Sequence, residues 1–227
     1  MPQYLAEVTD GKFIIKGDEA RHLSGVMRAK NGDGIKIFDG VKKYSAVIES
    51  AGKTLVQGRV TAEIPLRLPP RNLTLCFAPV GRTETEEILD KGTQLGVYAF
   101  LPVITERTEQ DILKKWDTKN DRWQAVVLAA VKQCETSLIP QILPPAKFEN
   151  AIADGDIIAY EKEENTPLPK IISGKKNLRI FTGPVGGFTE QEIELALGRG
   201  AKTATLGVNI MRAETAALAA AAIALSL

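Results

Sequence analysis

Short runs of hydrophobic residues, bounded by turn sequences, occupy the first part of the chain and predict β-strands. The predicted strands are residues 12–16, 34–38, 44–50 and 54–60. A short helix is predicted over residues 18–30, because Leu23, Val26 and Met27 lie on one face at helical spacing. Turn residues such as Asn31 and Gly32 separate the strands. Several short strands around one small helix predict a small β-barrel.

A proline-rich segment ends this first part. Pro65, Pro69 and Pro70 fall within six residues, a density that neither a helix nor a central strand tolerates. We therefore expect one domain over residues 1–68 and a second over residues 72–227.

The second part alternates between predicted strands and helices. Strands are expected at residues 73–78, 97–103, 156–160, 178–182 and 203–206. Helices are expected from Thr83 to Leu95, over 121–134, from Thr189 to Gly198 and over 213–227. Thr83 and Thr189 are each followed by Glu three residues later, the pattern of a helix-capping box. This alternation predicts an α/β domain with a parallel sheet, in which ligands bind at the carboxyl ends of the strands.

Composition narrows the class of protein. The chain has 227 residues, 44% hydrophobic and 25% charged, which is typical of a globular protein. Two isolated cysteines and one histidine exclude a CxxC site and a His-rich metal site, so we expect no metal. The first residues lack a secretory pattern, and the longest apolar run, residues 216–227, is too short to span a bilayer. We expect a cytoplasmic protein without a membrane partner.

The charge balance permits nucleic-acid binding without requiring it. The first 70 residues carry 11 Lys and Arg against 8 Asp and Glu, and the net charge of the whole chain is +1. Strong phosphate binders usually show a clear basic excess. Any nucleic-acid contact is therefore expected to come from a local patch.

Two glycine-bearing loops follow predicted strands near the end of the chain. The first spans residues 182–188 and the second residues 206–215. Their spacing matches neither a dinucleotide-binding motif nor a P-loop. Glycines let a backbone approach a ligand closely, although a tight turn into the following helix explains the first loop equally well. Because both loops end neighbouring strands, we expect them to form one ligand pocket.

The second loop carries a cation in an unusual place. Arg212 lies at the start of the final helix, where the helix dipole disfavours positive charge. Glu214 suits that position, either as a carboxylate of the first helical turn or as a partner of Arg212. The placement of Arg212 indicates a role other than solubility.

Ordered motifs along the chain resemble one known family. Gly183-Pro184-x-Gly186-Gly187-Phe188 and Leu206-Gly207-x-x-Ile210-x-Arg212-x-Glu214-Thr215-Ala216 are similar to the glycine loops of the RsmE family of 16S rRNA uridine N3-methyltransferases, within the SPOUT superfamily. His22-Leu23-x-x-Val26-x-Arg28, Lys91-x-Thr93-x-Leu95-Gly96 and Glu106-Arg107-Thr108 agree in the same order. The resemblance covers nearly the whole chain.

The resemblance implies a fold, a reaction and partners. The fold would be an α/β protein with an N-terminal PUA-like β-barrel followed by an α/β trefoil-knot (SPOUT) methyltransferase domain. The protein would be a homodimer that transfers methyl from S-adenosylmethionine to N3 of U1498 in 16S rRNA, free or within the small ribosomal subunit. The cofactor residues it implies are Thr182, Gly183, Pro184, Val185, Gly186, Gly187, Leu206, Gly207, Ile210, Met211 and Thr215.

Methylation at uridine N3 leaves negative charge on the flanking carbonyl oxygens once the proton is lost. A guanidinium aimed at that charge stabilises the transition state, and we assign this role to Arg212. Glu214 or a water molecule would accept the proton.

A second group of residues is expected to contact RNA. It comprises Arg21, His22, Arg28, Lys30 and Arg107. Each has an ordinary alternative: solvated surface charge for Arg21, Arg28 and Lys30, a structural role for His22, and an ion pair for Arg107.

The chain departs from the family pattern at four positions, Gln3, Gln94, Thr136 and Val185. These departures remove two carboxylates and two cations on the substrate side. Two rival functions follow: a knotted RNA-binding protein without methyl transfer, and a methyltransferase that acts on another RNA nucleotide.

Overall fold

A computed structural model describes residues 3–108, 116–136 and 138–226. The contacts divide the chain into two compact units. The first consists of Met1–Leu68 and Val131–Ile139, and the second of Pro69–Ala130 and Pro140–Leu227. The chain therefore leaves the second unit once and returns to it after a nine-residue excursion, an arrangement that the sequence pattern did not predict.

The first unit contains a curled six-stranded sheet. Its strands are β1 (Gln3–Leu5), β2 (Glu7–Thr9), β3 (Lys12–Lys16), β4 (Gly34–Phe38), β5 (Lys43–Ala51) and β6 (Leu55–Ile64). Their order across the sheet is β1-β4-β5-β6-β3-β2. The two edge strands, β1 and β2, are consecutive in sequence with Ala6 alone between them. The same short segment therefore supplies both edges.

Alternation along the strands buries one face of this sheet. Phe13, Ile15 and Ile37 have almost no exposed surface, as do Ile48 and Val56. These residues form one hydrophobic cluster on the inner face. Burial at every second position is what the strand period requires.

The helix expected over residues 18–30 is shorter and irregular. An α-helix, α1, covers Gly17–Arg21, and a π-helical turn covers His22–Val26. Leu23 is buried as predicted, but 69% of Val26 and 47% of Met27 are exposed, so the predicted apolar face is wrong at both residues. The wider π turn breaks the 3.6-residue period, and the chain leaves the helix before Arg28, whose φ is +53°.

The second unit contains a parallel sheet of seven strands. They are β7 (Asn72–Phe77), β8 (Ala99–Ile104), β9 (Gln141–Ile142), β10 (Ala146–Lys147), β11 (Ile157–Ala159), β12 (Asn177–Thr182) and β13 (Lys202–Ala204). The order is β10-β8-β7-β12-β11-β13, and β9 also pairs with β8. All recorded pairings are parallel. The predicted parallel α/β sheet is confirmed.

Helices connect these strands. They are α2 (Arg82–Leu95), α3 (Trp116–Cys134), α4 (Phe148–Ala151), α5 (Leu168–Ile172), α6 (Glu190–Gly198) and α7 (Ala213–Ser226). No helix formed by the described residues combines the length and hydrophobicity that a bilayer crossing needs.

One of the two predicted capping boxes forms. The Thr189 hydroxyl accepts the Glu192 backbone N–H at 3.3 Å, and the Glu192 carboxylate accepts the Thr189 backbone N–H at 2.8 Å. The box expected at Thr83 is wrong, because α2 begins at Arg82 with Gly81 as its N-cap. Gly81 starts the helix before Thr83 is reached, so Thr83 is an exposed residue of the first turn.

Candidate functional site

Three strand ends meet at one edge of the parallel sheet. β12, β11 and β13 follow one another in that order, and they end at Thr182, Ala159 and Ala204. The expectation that the two glycine loops follow neighbouring strands is therefore wrong, because β11 lies between β12 and β13. Because the strands are parallel, the loops that follow them emerge on the same side. The two glycine loops, which in the structure span residues 183–189 and 205–212, therefore lie beside a third loop that starts at Tyr160.

These three loops enclose a cavity of about 300 Å³. Its described lining comprises Ala159, Tyr160, Glu161, Gly183, Pro184, Val185, Gly186, Gly187, Thr205, Leu206, Gly207, Val208, Asn209, Ile210, Met211, Ala213 and Ala216. The volume lies at the lower end of the range, about 300–1,000 Å³, of small-molecule pockets. The structure thus brings both glycine loops to one pocket.

All but two of the residues expected to hold a ligand line this cavity. The exceptions are Thr182 and Thr215. Thr182 is 2% exposed at the end of β12, and its backbone carbonyl accepts the N–H of Ala78. Thr215 is exposed in the first turn of α7.

The glycines in the two loops are used in different ways. Gly187 has φ +68° and Gly207 has φ +151°, conformations that L side chains rarely adopt. A Cβ at Gly187 would lie 2.8 Å from Glu161 Oε1, so this loop also needs the space. Gly207 faces open space, with Met211 Cε as its neighbour at 3.8 Å. Glycine is favoured at residue 207 only because of this backbone conformation.

Arg107 joins the first glycine loop. Its guanidinium donates a hydrogen bond to the carbonyl oxygen of Gly186. A Cβ on Gly186 would lie 3.0 Å from Arg107 Cδ. Among the described residues Arg107 forms no ion pair and instead braces the loop through a main-chain oxygen, while its contact with substrate stays a prediction.

Arg212 immediately precedes α7. Its backbone carbonyl accepts the N–H of Ala216 at 2.8 Å, so the residue begins the hydrogen bonding of that helix. Its side chain is exposed, and within the described ranges it makes no hydrogen bond or ion pair, including none with Glu214. The arginine is adjacent in sequence to the cavity residues Met211 and Ala213, and its guanidinium has no structural partner in the described chain.

Three large apolar side chains that line the cavity are exposed. Val185 is 86% exposed, Val208 is fully exposed and Ile210 is 85% exposed. All three are lining residues. Exposed apolar residues scattered singly are ordinary, whereas these three belong to two loops that line the same pocket.

The third loop carries no motif from which its place at the cavity could be predicted. Tyr160 and Glu161 follow β11, whose neighbours β12 and β13 precede the glycine loops. The signal was present, because the rule that gathers parallel strand ends applies to β11 as well. The loop was overlooked because it carries no glycine.

The residues expected to contact RNA are dispersed. Arg21 is engaged with Asp18, and the His22 ring centroid lies 6.5 Å from that of Tyr4. Arg28 and Lys30 are exposed, with no side-chain partner among the residues that the structure describes. Arg107 belongs to the second unit.

The four departures from the family pattern also have definite places. Gln3 is 1% exposed, and its amide donates to the Val131 carbonyl at 3.0 Å, so it lies in the interior of the first unit. Gln94 is exposed and donates to Asp90, while the Thr136 hydroxyl accepts the backbone N–H of Leu138. Val185 lies at the cavity.

Side chains that could bind a metal are dispersed in the described part of the chain. No group of three or more His, Cys, Asp or Glu side chains lies close enough there to hold an ion. Cys76 is fully buried, and desolvation raises the pKa of its thiol to about 12, which makes it a poor ligand and nucleophile.

Comparison with known proteins places the chain in a family. A model of the RNA methyltransferase domain matches residues 67–225, and a model of the RNA methyltransferase PUA domain matches residues 15–61. The ribosomal RNA small subunit methyltransferase E of Synechocystis is 31% identical over 95% of this chain and 72% of its own length. The chain belongs to the RsmE family. The family resemblance found in the sequence is confirmed.

Solved RsmE-like structures share the fold. The Neisseria gonorrhoeae ribosomal RNA small subunit methyltransferase E, solved with S-adenosylmethionine bound, is 29% identical with a TM-score of 0.89; the match covers 98% of this chain and 95% of that chain. A Legionella pneumophila methyltransferase, solved in complex with the same cofactor, is 25% identical with a TM-score of 0.83; that match covers 99% and 96% of the two chains.

Proposed function

We propose that this RsmE family protein transfers a methyl group from S-adenosylmethionine to N3 of a uridine in 16S rRNA. The observation that carries the proposal is the meeting of both glycine loops at one cavity beside the carboxyl ends of three parallel strands. Methyltransferase activity and the cofactor agree with the family and with relatives whose structures contain that cofactor.

The cavity fits such a cofactor in shape and in chemistry. Gly183, Gly186 and Gly207 line the cavity without side chains, and apolar residues supply the surface that an adenine ring needs. Glu161 is an acidic group suited to a ligand of net positive charge. The bound cofactor would supply an electrophilic methyl group, so a nucleophilic side chain is not needed.

Arg212 is proposed as the catalytic residue. The anion formed at uridine N3 places charge on two carbonyl oxygens, and an arginine fork can meet an acceptor pair of that kind. An exposed guanidinium without a partner in the described chain is available for this contact. Glu214, in the first turn of α7, or a water molecule would accept the N3 proton.

The finer details of the fold are also proposed. We infer that residues 1–68 form a closed PUA-like barrel that binds RNA, and that residues 72–227 form the trefoil-knot domain. Support comes from the two sheet edges that meet at Ala6 and from the family models over residues 15–61 and 67–225.

A homodimer and a cytoplasmic location complete the proposal. Val185, Val208 and Ile210 are exposed apolar residues at the cavity, and their exposure supports a second protomer that covers them in the dimer. The substrate would be 16S rRNA, free or in the assembled small subunit. Sedimentation equilibrium would test the dimer, and a monomer at micromolar concentration would contradict it.

The function is tested by two measurements on the intact protein. Calorimetric titration should show binding of S-adenosylmethionine. Incubation with the cofactor and small ribosomal subunits that lack base methylation should yield 3-methyluridine in 16S rRNA, located by nuclease digestion and mass spectrometry. Absence of binding at millimolar cofactor would favour an RNA-binding protein without methyl transfer. A methyl group on another nucleotide would correct the substrate.

A further inference from the structure

Glu161 is the charged group of the cavity wall. Among the described residues that line the cavity, it is the only one with a charged side chain. Its carboxylate has no hydrogen-bond or ion-pair partner within the described ranges. The next residue, Lys162, is instead paired with Glu190 at 2.9 Å. The carboxylate is therefore available to a ligand.

The carboxylate lies beside the first glycine loop. A Cβ on Gly187 would lie 2.8 Å from Glu161 Oε1, so a side chain at residue 187 would displace the carboxylate. Glycine at residue 187 thus has two reasons: its φ of +68° is rarely adopted by other residues, and the absence of a side chain leaves room for the Glu161 carboxylate. Arg107, which binds the Gly186 carbonyl, is not one of the lining residues and does not neutralise Glu161 by direct contact.

We propose that Glu161 makes the cavity selective for the methyl-charged cofactor over its demethylated product. This inference rests on the proposed function. Both molecules carry an amino-acid end whose opposite charges largely cancel, but S-adenosylmethionine has an additional sulfonium charge that S-adenosylhomocysteine lacks. Glu161 is exposed at the cavity wall, and an exposed carboxylate still acts on an uncompensated charge a few ångströms away, with a strength that solvent reduces. Glu161 is therefore a specificity-determining residue that favours substrate entry and product release.

The test is equilibrium binding, which does not depend on methyl transfer. In Glu161→Gln, S-adenosylmethionine should bind about tenfold more weakly, while S-adenosylhomocysteine should change by less than about threefold. Binding of sinefungin, in which a protonated amine replaces the sulfonium, should weaken as much as binding of S-adenosylmethionine. Because salt screens charge, a higher salt concentration should reduce the preference of the wild-type protein for S-adenosylmethionine over S-adenosylhomocysteine. The preference of Glu161→Gln should not change with salt.

Glu164→Gln is the matched control. It makes the same change of charge on the same loop, at an exposed residue that does not line the cavity. It should keep the wild-type preference. Equal losses for both cofactor forms in Glu161→Gln would overturn the inference, since they would indicate a contact with the ribose or the amino group. Failure of the wild-type protein to bind S-adenosylmethionine would instead defeat the proposed function.

Discussion

Lys43 and Glu135 form an ion pair at 3.1 Å, although only 10% of the Lys43 side chain is exposed. The same carboxylate accepts Lys36 at 2.7 Å, and the Glu135 carbonyl accepts Lys43 at 2.8 Å. These hydrogen bonds, from Lys36 first and then Lys43, lower the pKa of Glu135 to about 2. The residue therefore holds Val131–Ile139 against the sheet strands of the first unit.

Glu135→Gln should destabilise the protein at neutral pH. Two cations lose a charged acceptor, and partial exposure limits the cost to about 1 kcal/mol. Urea unfolding would measure it. Glu49→Gln, which removes a pair with Arg59 at 3.5 Å between side chains that are more than half exposed, should have little effect.

The Glu135 interaction also has a defined pH dependence. Because its folded pKa lies below the ordinary value of 4.5, the stabilisation is present above pH 4.5 and is lost as the pH falls toward 2. Wild-type stability should fall more steeply than that of Glu135→Gln across this window. Parallel pH profiles would contradict the assignment.

Arg212→Lys should reduce turnover far more than cofactor affinity. Lysine keeps the charge but lacks the planar fork, and loss of such a donor costs on the order of a hundredfold in rate. The melting temperature should not change, because the side chain has no partner in the described chain. Single-turnover methylation beside cofactor titration separates the roles. A wild-type rate with weaker cofactor binding would make Arg212 a cofactor clamp.

Gly186→Val should weaken cofactor binding more than tenfold while the fold persists. The added carbons would crowd Arg107 at 3.0 Å and project from a lining residue. The backbone of Gly186 does not have a positive φ, so this variant is a cleaner probe than a change at Gly207. Gly198→Val, with no atom near its Cβ position, is the control for calorimetry. Undiminished affinity in folded Gly186→Val would remove the loop from the site.

RNA affinity should depend on Arg28 and Lys30 together. Replacing both by Glu should weaken binding to all RNA sequences. The slope of log affinity against log salt concentration should fall by the amount expected for the loss of about two phosphate contacts. Lys16 and Arg59 provide the control pair, because each is already engaged by a carboxylate. Fluorescence anisotropy against salt would measure both variants. If the two double substitutions reduce RNA affinity equally, the loss is caused by the change in net charge and not by a binding patch at Arg28 and Lys30.

The two Thr-x-x-Glu sequences should differ in their effect on stability. Thr189→Ala removes a formed capping box and should cost about 1 kcal/mol. Thr83→Ala should cost little, since Gly81 caps that helix without a side-chain bond. Thermal unfolding of both variants compares them, and similar losses would mean that Thr83 stabilises α2 in some other way.

The sequence predicts regular elements better than their ends and exceptions. Strands 12–16 and 34–38 match the structure residue for residue because alternation and turns agree there. β1 and β2 were missed since strands of three residues give no detectable period. The π turn before Met27 follows from no local pattern.

The candidate site divides in the same way. The glycine loops could be found because glycine has a conformational meaning that can be read locally. Glu161 could not be found by motif, since an acidic residue after a strand is ordinary until the sheet order makes β11 the neighbour of β12 and β13. The interior position of Gln3 likewise depends on Val131, which is distant in sequence.

Residues 3–9 form both edge strands of the first sheet, with Ala6 between them. Strands β1 and β2 each satisfy the outer hydrogen-bonding groups of a different neighbour, β4 and β3. A deletion within this segment would replace these three-residue edge strands by the five-residue strands β4 and β3 as edges, and longer exposed edges recruit strands from other chains more readily. Protection of the first unit against self-association therefore resides in a stretch that a routine N-terminal trim would remove.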